Sequence, residues 1–203
     1  MIKAVIFDLG NVIVNVNYEL MFRRFASKSS KSKEFIESYY NNSQTRKSFE
    51  MGKVNDLELY KKMTKDLDIK INFSQFKKAY TNIFSLKHDV AELIKKLKSN
   101  YRLILLSNTG KLHFEYIKKN YKILNVFDEY VLSYKVGCSK PNPLIFLEAI
   151  KKAKTMPFNC LYFDDIREFV LVARLMGIKA YQFKNYGKLI DDLAKNKISA
   201  KPL

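Results

Sequence analysis

The chain has 203 residues, of which 47% are hydrophobic, and its formal net charge at pH 7 is +17. This length allows one domain, or a core with one sizeable insertion, and no apolar run approaches the roughly 20 residues of a membrane-spanning helix. The positive charge is mostly lysine and is spread over nearly every predicted helix. The sequence has neither zinc-finger spacing nor an RNA-binding aromatic motif. We therefore expect the lysines to form a solvated surface, with no nucleic-acid or membrane partner. Two cysteines in unlike contexts and the lack of a signal-peptide cleavage site predict a reducing, cytoplasmic compartment.

The first predicted element is a strand, IKAVIF at residues 2–7, because a short β-branched apolar run suits a strand that is buried on both faces. Apolar residues then recur at helical spacing from about residue 18 to residue 98. The predicted helices in this stretch are 18–28, 33–40, 56–67, 73–84 and 89–97. Polar breaks separate them, which indicates a helical block of roughly 65 residues inserted after the first strand.

Strands and helices alternate in the second half of the chain. The predicted strands are YRLILLS (101–107), EYVLS (129–133), CLYFDD (160–165) and IKAYQF (178–183). The predicted helices between them are 113–120, 142–153 and 168–176. Strands that alternate with helices favour a parallel sheet covered on both faces, so the fold class is α/β with a doubly wound sheet and a helical insertion.

Polar residues follow several of these strands at the point where each strand ends. In chain order they are Asp8, the run Ser107-Asn108-Thr109, Lys140 in the loop after EYVLS, and the pair Asp164-Asp165. Ligands of open parallel sheets bind at the carboxyl ends of the strands, so these side chains are expected to converge. Clustered carboxylates are commonly neutralised by Mg²⁺, and a lysine with a hydroxyl group can hold phosphate oxygens. Asp8 is then placed to attack phosphorus as a nucleophile.

Four segments resemble, in order, the four motifs of the haloacid dehalogenase superfamily. They are FDLGNV (7–12), LLSNT (105–109), SKPNP (139–143) and FDD (163–165). The resemblance covers essentially the whole chain and implies a Rossmann-like core of residues 1–15 and 86–203, with residues 16–85 as the α-helical C1 cap of subfamily I. DLGNV and FEMGKVNDLEL (49–59) are similar to the branch that contains sugar-1-phosphate phosphatases.

The resemblance also implies roles for individual residues, with Mg²⁺ as the cofactor. The implied catalytic residues are Asp8, Ser107 and Lys140. The implied substrate-binding residues are Gly10, Asn11, Ser107, Asn108 and Lys140. The implied metal ligands are Asp8, the carbonyl of Gly10, Asp164 and Asp165. Glu168 stands where the family often has another acid and is expected to orient a metal-bound water. Arg167 is expected either to pair with a metal-site acid or to contact the substrate.

Gly10 departs from the phosphatase pattern, in which a second aspartate two residues after the nucleophile protonates the leaving group and then activates water. General acid–base catalysis contributes about 10²–10⁴ in rate, so its absence slows an ordinary alkyl phosphate. The candidate substitutes are a water molecule, a cap residue such as Glu50, or a substrate hydroxyl. A sugar 1-phosphate would need less help, because its anomeric oxygen leaves more easily.

Other conspicuous residues carry no site pattern. His88 and His113 lack ligand spacing and are expected to be structural. The aromatic residues of the cap are expected to form mostly its core, and these are Phe22, Phe25, Tyr39, Tyr40 and Phe49.

The predicted function is that of a Mg²⁺-dependent phosphatase acting on a small phosphorylated metabolite, as a monomer or a homodimer. One alternative is a binding protein of the same fold that has lost turnover, as the glycine at position 10 would suggest. Another is a metal-independent haloacid dehalogenase, in which Asp8 attacks carbon. The paired acids Asp164 and Asp165 argue against the dehalogenase, because those enzymes do not keep them. The substrate is read by the cap, and the sequence leaves it open.

Overall fold

The structure, a computed structural model, describes residues 1–198. The strands are β1 (Ala4–Phe7), β2 (Val14–Val16), β3 (Phe84–Leu86), β4 (Arg102–Ser107), β5 (Glu129–Leu132), β6 (Cys160–Asp164) and β7 (Lys179–Gln182). The helices are α1 (Tyr18–Ala26), α2 (Lys33–Asn42), α3 (Gln44–Glu50), α4 (Asp56–Asp66), α5 (Phe73–Thr81), α6 (His88–Leu97), α7 (Lys111–Asn120), α8 (Ser133–Val136), α9 (Pro143–Ala153), α10 (Arg167–Leu175) and α11 (Tyr186–Lys195). None of the helices within residues 1–198 has the length and apolar composition of a bilayer-spanning segment.

Five strands form one parallel sheet in the order β5-β4-β1-β6-β7. After β1 the chain builds the sheet outward on one side through β4 and β5, and it then crosses back to add β6 and β7 on the other side. This reversal opens a crevice at the carboxyl ends of β1, β4 and β6, which is where open α/β sheets bind their ligands.

Both faces of the sheet are packed, as the predicted doubly wound fold requires. In β1, Val5 and Phe7 join an apolar layer that includes residues of α6, α7 and α11, whereas Ala4 and Ile6 join a layer that includes residues of α9 and α10. The same alternation occurs in β4 and β6. Since successive side chains of a strand point to opposite faces, a continuous apolar run places helices on both sides of the sheet. The predicted α/β fold with an inserted helical cap is confirmed.

Helices α1–α5 form the inserted helical segment, which has its own apolar cluster, including Phe25 and Phe76 stacked at 5.4 Å between ring centroids. Each of these helices starts at an asparagine or serine whose side chain accepts a hydrogen bond from a backbone N–H of the first turn. Asn55 and Asn72 complete reciprocal capping boxes with the side chains three residues later. Local capping therefore defines these short helices, and the shared apolar cluster packs them together.

Several elements differ from the sequence predictions. The helix predicted over residues 73–84 ends at Thr81, because the chain continues into β3, which pairs antiparallel with β2. The short helices α3 and α8 and the helix α11 were not predicted. The predicted domain boundaries, after residues 15 and 85, both fall inside the paired strands β2 and β3, and this division stays a prediction.

Candidate active site

The first element of the site is the end of β1. Phe7 pairs with Leu105 of β4 on one side and with Phe163 of β6 on the other, so Asp8 leaves the sheet at the crevice. The backbone N–H of Asp8 donates to the carbonyl oxygen of Phe163 at 2.9 Å, and only 7% of the residue is exposed. The buried strand thus carries a carboxylate to the sheet edge and shields it from water.

Lys140 reaches the same edge from the loop between α8 and α9. Asn108 holds this loop with two hydrogen bonds, from its Nδ2 to the Lys140 carbonyl oxygen at 2.9 Å and from the Lys140 N–H to its Oδ1 at 2.8 Å. The Lys140 ammonium group lies 2.6 Å from both Asp8 Oδ1 and Asp164 Oδ2, and 3.2 Å from the carbonyl oxygen of Leu106. Burial acts to lower the pKa of Lys140, but the two carboxylates outweigh it and the pKa is raised. Lys140 is therefore a buried, fixed cation.

Three acids meet at this edge, and their carboxylates carry more negative charge than the one buried lysine can offset. Asp8, Asp164 and Asp165 each place a carboxylate oxygen within 4.8 Å of the other two. Burial raises the pKa of Asp8 to about 7, and the nearby Asp164 adds to the rise, although Lys140 opposes it. Burial and Asp164 also raise the pKa of Asp165. Crowded carboxylate oxygens are hard donors of the kind that Mg²⁺ prefers, so the side chains present fit this ion.

The turn after Asp8 contains the predicted site residues Gly10 and Asn11. Asn11 has a φ of 55°, its N–H donates to the carbonyl oxygen of Val14 at 2.6 Å, and its Nδ2 donates to Asp165 Oδ2 at 3.2 Å. These bonds fasten the turn to the loop after β6. A Cβ atom at Gly10 would meet Val16 Cγ2 at 3.5 Å, an ordinary contact, so packing does not require glycine there. Metal binding by the Gly10 carbonyl stays a prediction.

Ser107 is the last residue of β4 and is 2% exposed, one strand away from β1. Just beyond it, the N–H of Thr109 donates to Ser133 Oγ at 2.9 Å, and this hydroxyl group lies 2.6 Å from the carbonyl oxygen of Glu50. The loop after β4 is thereby linked to the end of α3. A contact between Ser107 and a phosphate stays a prediction.

Two residues predicted near the metal acids are exposed. Arg167 and Glu168 occupy the first turn of α10. Asp8 and Asp164 pair with Lys140, and Arg167 forms no ion pair within residues 1–198, so the pairing expected for it is wrong. Contact of Arg167 with the substrate stays a prediction. The reason is that the buried face of α10 begins at Val170, so its first turn projects toward solvent. Orientation of a metal-bound water by Glu168 stays a prediction.

Tyr162 is a site residue that the sequence reasoning missed. Its hydroxyl group lies 3.2 Å from Lys140 Nζ and donates to Asp164 Oδ2. Burial and the charge of Asp164 raise its pKa far above the ordinary value, so the phenol keeps its proton. A signal was available, because residues two apart in a strand share one face of the sheet. Tyr162 stands two residues before Asp164 in the predicted strand CLYFDD.

Comparisons with known proteins agree with this geometry. The family model for haloacid dehalogenase-like (HAD-like) hydrolases matches residues 2–177. A D-ribitol-5-phosphate phosphatase from Bacteroides thetaiotaomicron is 25% identical over 193 residues, which cover 91% of this chain and 93% of the relative.

Two solved structures share the fold over nearly their full length. One is a HAD-family enzyme from Bacteroides thetaiotaomicron in complex with magnesium and inorganic phosphate. Its TM-score is 0.85 at 25% identity, and the alignment covers 93% of this chain and 99% of the enzyme's chain. A HAD-like family hydrolase from Porphyromonas gingivalis has a TM-score of 0.83 at 25% identity and covers 96% and 98%.

The matched residues include the parallel strands β1 and β4–β6 and the whole inserted helical segment. The resemblance of the four motifs is thus confirmed over most of the chain. The chain belongs to the haloacid dehalogenase-like hydrolase family.

Proposed function

We propose that the protein is a Mg²⁺-dependent phosphatase that hydrolyses a small phosphorylated metabolite through a phosphoryl group carried on Asp8. The observation that carries this proposal is the position of Lys140, buried between Asp8 and Asp164 at 2.6 Å from each, with Asp165 completing an acidic cluster. A structural ion pair would need one acid for one lysine. The excess of acid is better explained by a second cation, which would also offset the negative charge of a phosphate substrate.

In the proposed reaction an oxygen of Asp8 attacks phosphorus, the bond from phosphorus to the ester oxygen breaks, and the alcohol leaves with a proton. Water then attacks the aspartyl-phosphate, which releases inorganic phosphate and restores the Asp8 carboxylate. Lys140 holds the attacking carboxylate and faces the charge of the phosphoryl group, and Ser107 and Asn108 bind its oxygens.

Mg²⁺ would be held by Asp8, the Gly10 carbonyl, Asp164 and Asp165. When bound, it supplies positive charge against the phosphate oxygens. This assignment is supported by the cluster of carboxylates within 4.8 Å and by the magnesium and phosphate in the related enzyme.

Gly10 narrows the range of substrates, because no acid stands at this position to protonate the leaving oxygen. Water, a substrate hydroxyl or Glu50 must supply the proton, and phosphates with a good leaving group need it least. The relative's name points to phosphorylated sugars or polyols as the substrate class. The helical cap closes over the sugar or polyol part of the substrate. The thiols of Cys138 and Cys160 are free, which fits a protein of the reducing cytoplasm.

The test is phosphate release from para-nitrophenyl phosphate and from a panel of sugar and polyol phosphates, each with Mg²⁺ and with a chelator. We compare the wild type with Asp8→Asn and with Asp191→Asn, a matched change at an exposed residue of α11. We expect release that requires both Mg²⁺ and Asp8, falls by at least about 10³-fold in Asp8→Asn, and is unchanged in Asp191→Asn.

Release that survives Asp8→Asn would overturn the assignment of the nucleophile. No release from any phosphate by the wild type would favour the binding protein of the same fold. Halide release from a haloacid without Mg²⁺ would favour the dehalogenase.

A further inference from the structure

Helix α3 carries a charged pair, Arg46 and Glu50, that is held in place on several sides. Arg46 Nη1 donates to Glu50 Oε1 at 2.7 Å, and each side chain is 19% exposed. Arg46 Nε also donates to the carbonyl oxygen of Tyr40 at 2.9 Å, and the guanidinium carbon lies 4.9 Å from the centre of the Tyr40 ring. These contacts distinguish the pair from a mobile surface ion pair.

Three tyrosines lie beside this pair. The ring centroids of Tyr18 and Tyr40 are 5.5 Å apart, and those of Tyr40 and Tyr80 are 6.4 Å apart. The hydroxyl groups of Tyr40 and Tyr80 are buried without a hydrogen-bond partner in residues 1–198, an unfavourable state that a bound polar group would relieve. Tyr18 is 38% exposed, so the cluster opens to solvent on its side.

The same cluster adjoins the candidate active site. The carbonyl oxygen of Glu50 accepts a hydrogen bond from Ser133 Oγ, which in turn accepts one from Thr109 in the loop after β4. These bonds place the end of α3 against the loop that follows β4, and β4 pairs with β1, which ends directly before Asp8. Burial raises the pKa of Tyr18, the carboxylates of Glu50 and Asp8 add to the rise, and Arg46 opposes it, in agreement with this position.

The pair has unused hydrogen-bonding capacity of both kinds. Arg46 has five N–H donors, of which two are used within residues 1–198, and Glu50 Oε2 accepts no hydrogen bond in that range. A hydroxyl group both donates and accepts, so it can satisfy the two side chains together. The two opposite charges compensate each other, so the pair offers no net attraction to a further anionic or cationic group on the substrate.

We propose that Arg46 and Glu50, with the phenols of Tyr18 and Tyr40, bind the hydroxyl groups of the leaving alcohol and select phosphate monoesters of neutral, polyhydroxylated alcohols. This inference rests on the proposed phosphatase function, and it assigns the recognition of the alcohol to particular residues of the cap. The pair is a specificity determinant, and Asp8 keeps the chemistry.

The experiment measures kcat/KM for ribitol 5-phosphate, for n-butyl phosphate and for 3-phosphoglycerate. Ribitol 5-phosphate and n-butyl phosphate both release a primary alkoxide, but only the first presents further hydroxyl groups. The test variant is Glu50→Gln. The control is Glu129→Gln, which removes the acid of another Arg–Glu pair, at 27% and 32% exposure, on the opposite edge of the sheet.

We expect the wild type to prefer ribitol 5-phosphate to both other esters. Glu50→Gln should lower kcat/KM for ribitol 5-phosphate roughly 10- to 100-fold more than for n-butyl phosphate, chiefly through KM, because hydrogen bonds to a charged group are lost. Glu129→Gln should leave the ratio of the two substrates unchanged. An equal loss on both esters would mean that Glu50 donates a proton or maintains structure, and it would overturn the proposal, as would no loss at all.

A binding experiment separates this inference from the phosphatase proposal. Calorimetry compares the Kd of ribitol 5-phosphate and n-butyl phosphate for Asp8→Asn and for the double variant Asp8→Asn/Glu50→Gln. A preference for the polyol ester that falls at least about tenfold in the double variant supports the inference even if the wild type releases no phosphate. The absence of that preference overturns it even if turnover is found.

Discussion

Gly52 lies where the loop after α3 crosses the backbone of α8, and replacing it with alanine should loosen this contact. Its φ is +72°, and an ideal Cβ atom there would lie 2.1 Å from the carbonyl oxygen of Tyr134. Gly137 offers a matched comparison, since its φ is +82° but nothing lies within 4 Å of its Cβ position. Gly137→Ala therefore tests the cost of the left-handed backbone alone, whereas Gly52→Ala adds a collision with a main-chain atom.

The two contributions to the free energy of unfolding can be separated. An alanine in the left-handed region costs about 1–2 kcal/mol. Displacing a packed backbone to admit an extra methyl group costs a further ~1–3 kcal/mol. We thus expect a loss of about 1–2 kcal/mol for Gly137→Ala and about 2–5 kcal/mol for Gly52→Ala, and for a chain of this size each kcal/mol lowers Tm by about 2–4 °C.

Urea unfolding followed by circular dichroism, together with thermal melting, measures both variants against the wild type. Gly52→Ala should also reduce kcat/KM on a polyol phosphate, because a shift of this loop moves the carboxylate of Glu50. Equal losses of stability in the two variants would refute the close approach of the loop to α8. A destabilised Gly52→Ala protein with unchanged kcat/KM would refute the link between this loop and substrate recognition.

Gly10→Asp should raise kcat on n-butyl phosphate by roughly 10- to 100-fold, because the added carboxyl group can act as a general acid and base. The 3.5 Å contact between its Cβ position and Val16 Cγ2 leaves space for the side chain. Steady-state assays compare it with Gly10→Asn, and no gain over the asparagine variant would contradict the prediction. His113 should make the free energy of unfolding decrease at acidic pH. Burial lowers the pKa of its imidazole to about 4 from an ordinary 6.5, so the unfolded chain binds the proton at a higher pH than the folded protein does. Stability is therefore lost as the pH falls from 6.5 toward 4. The expected loss of stability at pH 5 relative to pH 8 is about 2 kcal/mol. Urea titrations should show this loss reduced in His113→Gln and retained in His88→Gln, which changes an exposed histidine. An unchanged pH dependence in His113→Gln would count against the prediction.

Much of the candidate active site could be predicted from the sequence alone. Asp8 follows β1 directly, Asp164 ends β6, and Lys140 lies in the connection that follows β5, and parallel strands bring such positions to one edge of the sheet. The alternation of strands with helices was sufficient for the doubly wound sheet. The structure brings these three residues to contact distance, as the strand ends had predicted.

Other features depended on the tertiary structure. The pairing of β2 with β3 joins segments about 70 residues apart, and three-residue strands carry too little pattern to be recognised locally. Helix α3 buries only Thr45 and Phe49, so its apolar periodicity is weak even though Ser43 caps it.

The sequence by itself determined the sheet, its helical insertion and the acids and lysine at the strand ends, because each is encoded in a short window of apolar and polar residues. Only the tertiary structure decided that Tyr162 donates to Asp164, and that Arg46 and Glu50 pair beside Tyr40, where the Glu50 carbonyl oxygen accepts a hydrogen bond from Ser133. Those neighbours come from separate parts of the chain, and their distances are set by how the inserted helices pack on the sheet. A local pattern carries no information about that packing.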